Sequence, residues 1–353
     1  MRVGILGCTG SVGQRFVQLL ENHPWFQITT IGASERSTGK TYGEVVHWVL
    51  PTPIPDSIRS LPIVPCEPQH FPVDLVFSGL DASVAGTVEE NFAKADIPVF
   101  SNAKNHRYDP DVPILIPAVN EDHIDVIPRQ RKFRGWKKGF IITNANCSST
   151  GLVVVLKPLQ EAFGLKKVHV VTLQAISGAG YPGVSAYDIY GNVIPFISGE
   201  EEKLQIEPLK ILGNLKPEAD GPNSNTEYES LDFKVSAQCT RVPVIDGHTE
   251  CVSLEFEKKP TLEEIKGVLG NYTAAYQKYD LPSKPPKDLL LLEANDRPQP
   301  RLDLSNGNIV SVGRVRPCPL FDYKLVLLSH NTVIGAAGGS ILNAELAKVK
   351  GYL

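Results

Sequence analysis

Short apolar runs alternate with helix-like segments through the first third of the chain. The strand-like runs are residues 3–6, 28–31, 75–77, 98–100, 114–116 and 140–143, and the helix-like segments include residues 12–20 and 84–95. Alternation of this kind predicts an α/β domain built on a doubly wound parallel sheet. With 353 residues, the chain is long enough for two domains of about 150 residues or more.

The pattern changes after Cys147. Residues 151–163 are typical of a buried helix, and residues 167–173 alternate like a strand. Residues 238–244 and 250–257 flank Asp246-Gly247, a dipeptide that favours tight reversals, so they are predicted to form an antiparallel hairpin. The second domain is therefore expected to be α+β.

Three segments are expected at the surface. Residues 181–221 and 279–308 are polar and rich in proline, which argues against a place in the core. Residues 129–138 hold six basic residues in ten, and such a run in an acidic chain is expected to be a solvated loop. Residues 336–349, in contrast, follow a glycine-rich turn and are predicted to be helical.

Charge and cysteine content exclude several classes of function. The 35 Lys and Arg residues against 39 Asp and Glu leave a net charge of −4, which argues against nucleic acid or an anionic membrane as the main partner. No apolar run reaches the roughly 18 residues that a bilayer span needs, and no export signal is visible. The six cysteines show no paired spacing, so they are expected to be thiols in a reducing cytoplasm. No metal site is predicted.

A glycine-rich loop separates the first strand from the first helix. Its spacing is G-x-x-G-x-x-G over residues 7–13. At this place a tight turn directs backbone N–H groups and the helix N-terminus at a pyrophosphate, as in a Rossmann-like domain. A plain strand-to-helix turn that needs positive φ is the alternative, and the context favours a dinucleotide.

The stretch after the second strand bears on which dinucleotide binds. Ser34, Arg36 and Ser37 offer hydroxyls and a guanidinium that suit a 2′-phosphate, so NADP is preferred over NAD. The alternative is a solvated loop in which Glu35 accepts the ribose hydroxyl.

Cys147 has the setting of a nucleophile. A short strand and the turn 144–146 precede it, and it opens the helix, where the N–H groups and dipole favour a thiolate. Ser148, Ser149 and nearby N–H groups are candidates to stabilise an oxyanion. The other five cysteines, at 8, 66, 239, 251 and 318, are expected to be small buried apolar residues.

A thiol nucleophile needs a proton acceptor, and histidine titrates near neutral pH. Of the eight histidines, His248 alone directly follows the Asp246-Gly247 reversal, at the rim of a sheet. From the pattern, it is the best of several candidates.

Seven segments together resemble the aspartate-β-semialdehyde dehydrogenase family, in its fungal and archaeal branch. They span nearly the whole chain and are residues 7–13, 33–40, 101–107, 144–151, 174–180, 199–203 and 239–248. The resemblance implies NADPH-dependent reductive dephosphorylation of L-aspartyl-4-phosphate to L-aspartate 4-semialdehyde. That reaction feeds the synthesis of lysine, threonine, methionine and isoleucine. The resemblance also implies that Cys147 attacks the acyl phosphate, that His248 is the acid/base, and that the resulting thioester is then reduced.

The resemblance also implies how the substrate is held. Arg241 matches the carboxylate clamp, Glu200 the residue that holds the ammonium, and Gln174 the residue that orients the acyl intermediate. Arg107 and Lys203 match the phosphate binders, with Asn146 assisting. From the residues alone, the 200–203 segment reads as an exposed helix start and Arg241 as a charge on a strand edge.

For NADP(H), the resemblance implies a set of contacts on both sides of the site. They are Gly7, Thr9, Gly10, Ser11, Val12, Gly13, Ser34, Arg36, Ser37, Ser78, Gly79, Ser177, Gly178 and Asn331. It further implies that residues 1–146 and 332–353 form the NADP-binding domain. Residues 147–331 would then be the catalytic domain, through which the chain forms a homodimer or homotetramer.

Two other functions stay open at this stage. A related acyl-phosphate or acyl-CoA reductase, acting on N-acetyl-glutamyl phosphate or malonyl-CoA, shares the same build. Those substrates carry no free ammonium group, so they would leave Glu200 without a binding partner, whereas an aspartyl substrate would not. A non-catalytic NADP-binding protein is the second alternative, and the presence of both Cys147 and His248 argues against it.

Overall fold

The computed structural model describes residues 1–216 and 227–353. Its first sheet is built from Arg2–Leu6 (β1), Gln27–Ala33 (β2), Ile63–Pro65 (β3), Leu75–Ser78 (β4), Val99–Ser101 (β5) and Ile141–Thr143 (β6). The strands lie in the order β3-β2-β1-β4-β5-β6, and every pairing between them is parallel. The doubly wound parallel sheet predicted from the sequence is confirmed. Residues 114–116 form a single bridge at Ile114 instead of a strand, and β3 was not predicted.

Helices lie between successive strands of this sheet along the chain, as crossover connections between parallel strands require. They are Ser11–Leu19 (α1), Tyr42–Val45 (α2), Asp56–Arg59 (α3), Ala82–Lys94 (α4), Pro117–Asn120 (α5) and Ile127–Arg134 (α6). Phe77 of β4 stacks on Phe16 of α1, with ring centroids 5.0 Å apart, and contacts Phe100 of β5 at 5.7 Å. These rings anchor α1, and with it the glycine-rich loop, on the sheet.

The prediction for the basic segment is wrong. Residues 127–134 form helix α6 instead of a solvated loop. Arg134 donates to both carboxylate oxygens of Asp111, at 2.5 and 2.7 Å, and to Asp109 at 2.8 Å. The positive charge of Arg134 is thus neutralised within the fold by two carboxylates.

The second part of the chain begins with the helix Cys147–Phe163 (α7). The elements that follow are Leu165–Gln174 (β7), Ala186–Ile189 (α8), Glu200–Ile211 (α9), Asn214–Leu215 (β8), Tyr228–Glu229 (β9), Lys234–Arg241 (β10), His248–Phe256 (β11), Leu262–Gly270 (α10), Leu289–Leu292 (β12), Pro300–Asp303 (α11), Val310–Pro317 (β13), Tyr323–Ser329 (β14) and Gly338–Val349 (α12). Helix α7 is buried along most of its length, as the apolar run at its centre predicts.

The second sheet is mixed, in the order β10-β7-β11-β14-β13-β12. The predicted hairpin is wrong, because β7 lies between its two strands: β10 pairs with β7 in parallel and β11 pairs with β7 in antiparallel fashion. The reversal around Asp246-Gly247 therefore carries the chain across the end of β7. This arrangement brings the last residue of β10, Arg241, and the first residue of β11, His248, to one end of the sheet.

The predictions about exposure need correction in three places. In the described part of 181–221, which ends at residue 216, Leu204 and Ile211 are fully buried, and the rest of that segment lies outside the described residues. In 279–308, Leu281 and Leu289 belong to the core. All six cysteines are free thiols, but among the five expected to be buried only Cys8 and Cys239 are; Cys66 and Cys318 are half-buried and Cys251 is exposed.

Helix α12, predicted from the sequence, packs back on the first sheet beside β5. Its Ser340 hydroxyl accepts from the Asn102 amide at 3.1 Å and from the Asn144 amide at 2.9 Å. Asn343 donates to the side-chain oxygen of Asn144 at 2.8 Å. The helix therefore supports the turn that precedes Cys147. Within the described residues, no helix combines the length and the apolar character needed to span a membrane.

Candidate active site

Cys147 is the first residue of α7, directly after the turn that leaves β6. The side-chain oxygen of Asn146 caps this helix by accepting from the N–H groups of Ser148 and Ser149, at 3.0 and 3.3 Å. Such a cap satisfies donors that a helix start otherwise leaves free. Asn146 therefore already engages these two N–H groups, whereas the hydroxyls of Ser148 and Ser149 are buried without a hydrogen-bond partner among the described residues. The role of Ser148, Ser149 and nearby N–H groups in stabilising an oxyanion stays a prediction.

His248 lies beside Cys147, although 101 positions separate the two residues in the chain. Its Nε2 atom is 3.2 Å from the Cys147 sulfur. Its other ring nitrogen, Nδ1, accepts the backbone N–H of Ala175 at 3.1 Å. A neutral ring with an accepting Nδ1 carries its hydrogen on Nε2, which here faces the sulfur.

Burial controls the charge state of this pair. Burial, together with the nearby Glu200 carboxylate, raises the pKa of the Cys147 thiol to about 12, although Arg107, Arg241 and Lys203 act to lower it. Burial also lowers the pKa of His248 to about 3, with Arg241 acting in the same direction. Both groups are therefore neutral at pH 7 in this arrangement. The resting thiolate expected from the helix start is thus disfavoured, because burial opposes the charged form more strongly than the surrounding cations favour it.

Four of the predicted substrate residues form one hydrogen-bonded cluster around Glu200. Asn146 donates to both of its carboxylate oxygens, at 3.1 and 2.9 Å, Gln174 donates at 3.3 Å, and Lys203 donates at 2.5 Å. These contacts keep the pKa of Glu200 below its ordinary value despite burial. Glu200 is thus a buried carboxylate beside the thiol, suited to a cationic group.

Two buried arginines supply the opposite charge. Arg241, from the end of β10, donates Nη1 to the carbonyl oxygen of Ala175 at 2.7 Å. Arg107 donates Nη1 to Glu207 at 2.9 Å and Nη2 to the carbonyl oxygen of Asn102 at 3.0 Å. Its Nε atom is buried and has no hydrogen-bond partner within residues 1–216 and 227–353. The surroundings of Cys147 can therefore hold a molecule with two anionic groups and one cationic group.

The glycine-rich loop has the geometry of a phosphate cradle. Gly7 has φ +76°, and helix α1 starts at Ser11 with Gly10 as its N-cap and no side-chain cap. A Cβ added at Gly13 would lie 2.2 Å from the Gly7 carbonyl oxygen, whereas one at Gly10 would meet nothing closer than 3.7 Å. Together with Gly79, which packs against Gly13, the loop exposes the uncapped helix start to an anion.

The remaining predicted cofactor residues fall into three groups. Ser34, Arg36 and Ser37 lie just after β2 in a short 3₁₀ helix, where Arg36 is exposed, as a guanidinium for a 2′-phosphate should be. The Asn331 side chain forms the second group with Ser177. Its amide NH₂ donates to the Ser177 hydroxyl at 2.8 Å, and its amide oxygen accepts from the N–H of Gly247 at 2.9 Å.

The third group, Ser78 and Gly178, lies deeper. Ser78 is fully buried, and its hydroxyl donates to the buried Glu89 at 2.6 Å, so this hydroxyl is not directed at a ligand. A Cβ on Gly178 would approach Nη1 of Arg241 to 2.9 Å and the His248 ring to 3.1 Å. Gly178 therefore lies at the junction of the catalytic pair and the predicted nicotinamide side.

The sequence reasoning missed the charged residues that support this site. Glu207 and Glu89 are buried and Lys210 is half-buried, and none of the three was singled out. One signal was available: Glu200, Leu204, Glu207 and Ile211 recur at helical spacing, so the two glutamates share a face with two core residues. Among the described residues, no group of three or more His, Cys, Asp and Glu side chains is arranged to hold a metal ion.

Comparison with known proteins assigns the chain to a family. Residues 2–127 match the family model "Semialdehyde dehydrogenase, NAD binding domain", and residues 156–334 match "Semialdehyde dehydrogenase, dimerisation domain".

The chain belongs to the semialdehyde dehydrogenase family.

Relatives of this semialdehyde dehydrogenase cover its full length. The aspartate-semialdehyde dehydrogenase of Cryptococcus neoformans is 51% identical over 361 residues, covering 100% of this chain and 98% of that protein. The enzyme of the same name from Archaeoglobus fulgidus is 49% identical, covering 98% of this chain and 97% of that protein. The resemblance to the fungal and archaeal branch is thereby confirmed.

Solved structures agree with this family assignment. The crystal structure of the Candida albicans aspartate semialdehyde dehydrogenase with NADP has a TM-score of 0.90 and 46% identity, covering 100% of this chain and 99% of that one. The Vibrio cholerae aspartate semialdehyde dehydrogenase II, complexed with ASA, has a TM-score of 0.77 and 25% identity, with the same coverage. The predicted fold class, a Rossmann-like domain plus an α+β domain, is confirmed.

Proposed function

We propose that this chain catalyses the NADPH-dependent reductive dephosphorylation of L-aspartyl-4-phosphate to L-aspartate 4-semialdehyde, in aspartate-family amino-acid biosynthesis. The observation that carries the proposal is the Cys147 sulfur, 3.2 Å from Nε2 of His248 and bordered by Glu200, Arg107 and Arg241. A thiol beside an imidazole suits attack on an acyl group. One buried carboxylate and two buried arginines match the charges of an aspartyl phosphate.

Each charged group on the substrate has a partner in this proposal. Arg241 binds the α-carboxylate with its planar fork, and Glu200 binds the α-ammonium. Arg107, which retains a buried N–H, binds the phosphate with Lys203, and Asn146 assists. Gln174 orients the acyl group from the end of β7.

The chemistry follows from where these groups lie. The Cys147 sulfur forms a bond to the acyl carbon as the bond to phosphate breaks, which leaves a thioester. His248 handles protons at the sulfur and at the carbonyl oxygen. In the observed arrangement its Nε2 donates, so for it to accept the thiol proton there the ring must first carry its hydrogen on Nδ1, which breaks the bond from Ala175.

NADP(H) fits the first domain on this structure's own features. The uncapped start of α1, the crowded Gly13 and the exposed Arg36 would hold the pyrophosphate and the 2′-phosphate. Ser11, Val12, Thr9 and Gly79 complete the phosphate side, and Ser177, Gly178 and Asn331 the nicotinamide side. When bound, NADPH supplies the hydride that reduces the thioester.

The organisation of the chain is also part of the proposal. Residues 1–146 and 332–353 would form the NADP-binding domain, which agrees with the packing of α12 beside β5. Residues 147–331 would form the catalytic domain and mediate assembly into a homodimer or homotetramer. We place the enzyme in the cytoplasm, in keeping with its six free thiols.

A direct assay of NADPH formation tests the function in the reverse, phosphorylating direction. Aspartate semialdehyde, phosphate and NADP⁺ should yield NADPH, and alkylation of Cys147 should remove the signal in step with its modification. Running the assay with NAD⁺ measures the cofactor preference, and adding N-acetylglutamate semialdehyde as a competing substrate tests the related reductase. NADPH formation with the N-acetylated aldehyde and none with aspartate semialdehyde would overturn the proposal.

A further inference from the structure

Glu207 connects two parts of the active site that come from different segments of the chain. It lies on α9, about two turns beyond Glu200, and is fully buried. Its Oε1 atom accepts from Nη1 of Arg107 at 2.9 Å, and its Oε2 atom accepts from the backbone N–H of Asn146 at 2.7 Å. One carboxylate thus holds an arginine on one side and the residue before Cys147 on the other.

Both partners of Glu207 act directly on the reacting atoms in the proposed function. Asn146 caps the helix that starts at Cys147, so the bond to its N–H fixes the start of that helix. Arg107 lowers the pKa of Cys147, which shows that its charge reaches the sulfur. Nη1 and Nη2 of Arg107 each donate one N–H, to Glu207 and to the carbonyl oxygen of Asn102, and its buried Nε has no partner among the described residues.

Lys210, about one turn further along α9, binds the backbone of the segment that carries Arg107. Its ammonium group donates to the carbonyl oxygens of Arg107, Asp109 and Val112, at 2.7, 3.0 and 2.8 Å. The side chain of Arg107 is therefore held by Glu207 and its main chain by Lys210. Because a buried carboxylate is costly unless it is paired and hydrogen-bonded, the two contacts of Glu207 must be kept together.

We propose that Glu207 is a positioning residue for the phosphate step, which sets the placement of Arg107 relative to the Cys147 thiol. This inference rests on the proposed function. In the phosphorylating direction, a phosphate oxygen attacks the thioester carbon and the sulfur leaves. The reaction then depends on how well phosphate is aligned with that bond, and alignment of this kind accounts for large rate effects. Among the described residues, Glu207 forms no direct hydrogen bond with Glu200, the proposed ammonium binder, or with the glycine-rich loop.

The substitution Glu207→Gln tests the inference with almost no change in volume. A glutamine offers one accepting oxygen and one donating NH₂ group, so it can satisfy either Arg107 or the N–H of Asn146 but not both. We expect kcat/KM for phosphate to fall by about 10- to 150-fold, the range that loss of a hydrogen bond to a charged group implies. The KM values for aspartate semialdehyde and NADP⁺ should stay within about twofold.

Glu201→Gln is the matched control. Glu201 lies on the same helix and also accepts a backbone N–H, that of Cys239 at 3.0 Å, but it does not contact Arg107. We expect its phosphate kinetics to match those of the wild type. A double-mutant cycle with Arg107→Lys adds a second readout: if Glu207 acts through Arg107, the double variant should be no worse for phosphate than Arg107→Lys alone.

The possible outcomes separate this inference from the proposed function. If the wild type does not reduce NADP⁺ with aspartate semialdehyde and phosphate, the proposed function fails. If the wild type is active but Glu207→Gln affects all three substrates equally, or lowers only the melting temperature, Glu207 is structural and the inference is overturned. Additive losses in the double-mutant cycle would overturn it as well.

Discussion

Replacing Glu200 with glutamine should move two properties of the site in opposite directions. Its carboxylate takes hydrogen bonds from Asn146, Gln174 and Lys203, and it raises the pKa of Cys147. Glu200→Gln removes the negative charge proposed to bind the substrate ammonium. It also removes the charge that disfavours the thiolate. Substrate binding should therefore weaken while the free thiol becomes more reactive.

The size of the first effect follows from the kind of contact that is lost. A hydrogen bond to a charged group contributes about 1.5–3 kcal/mol, so KM for aspartate semialdehyde should rise about 10- to 150-fold. Asn146 donates to both oxygens of Glu200, so the new NH₂ group faces it in either orientation of the glutamine. A further loss in kcat is expected for this reason, because Asn146 caps the helix of Cys147.

Two measurements check the prediction. Steady-state kinetics at saturating phosphate and NADP⁺ give KM for the aldehyde, and the rate of iodoacetamide alkylation at pH 8 reports the thiolate fraction of Cys147. Glu202→Gln is the control, since it removes an exposed charge from the same helix. An unchanged KM would refute the ammonium assignment. Alkylation no faster than in the wild type would refute the electrostatic argument.

Three further predictions concern the cofactor loop and the thiol. Gly13→Ala should abolish NADP⁺ binding in a fluorescence titration, because its Cβ would lie 2.2 Å from the Gly7 carbonyl oxygen. Gly10→Ala should weaken binding less, because its Cβ would meet no protein atom closer than 3.7 Å. Equal affinities of the two variants would contradict this. Arg36→Ala should raise KM for NADP⁺ about tenfold and leave that for NAD⁺ unchanged, and parallel changes would argue against a 2′-phosphate contact. Since burial raises the pKa of Cys147 to about 12, its alkylation rate should climb by about a factor of ten per pH unit from pH 6 to 9, and a plateau below pH 8 would reveal a thiolate–imidazolium pair instead.

The sequence predicted the first sheet better than the second, and the reason is the range of the contacts. In β1 and β4, continuous apolar runs buried on both faces identify parallel strands directly. In the second sheet, the local signal at Asp246-Gly247 was read correctly as a reversal, but a reversal does not say which strands it joins. That β7 lies between β10 and β11 depends on a pairing with residues some 70 positions earlier, which no local pattern encodes.

The candidate site divides in the same way. Cys147 was found because its strand, turn and helix start are contiguous, and His248 because it follows a turn. Glu207 was missed because a glutamate in a charged helix resembles a surface residue, and its burial arises only when α9 packs behind Arg107. The charge states of Cys147 and His248 also could not be predicted from the sequence. Burial sets the pKa of Cys147 and of His248, and the local sequence contains no measure of burial.

The support that Ser340 and Asn343 give to Asn144 has a consequence for how the enzyme matures. Ser340 is synthesised 196 positions after Asn144, so a ribosome that has already released β6, Cys147 and all of α7 has not yet made the residues that brace the turn before the thiol. Catalytic activity should therefore appear only in the last step of folding, when α12 packs on the first sheet. In partly synthesised chains, the turn before Cys147 should lack its contacts with Ser340 and Asn343.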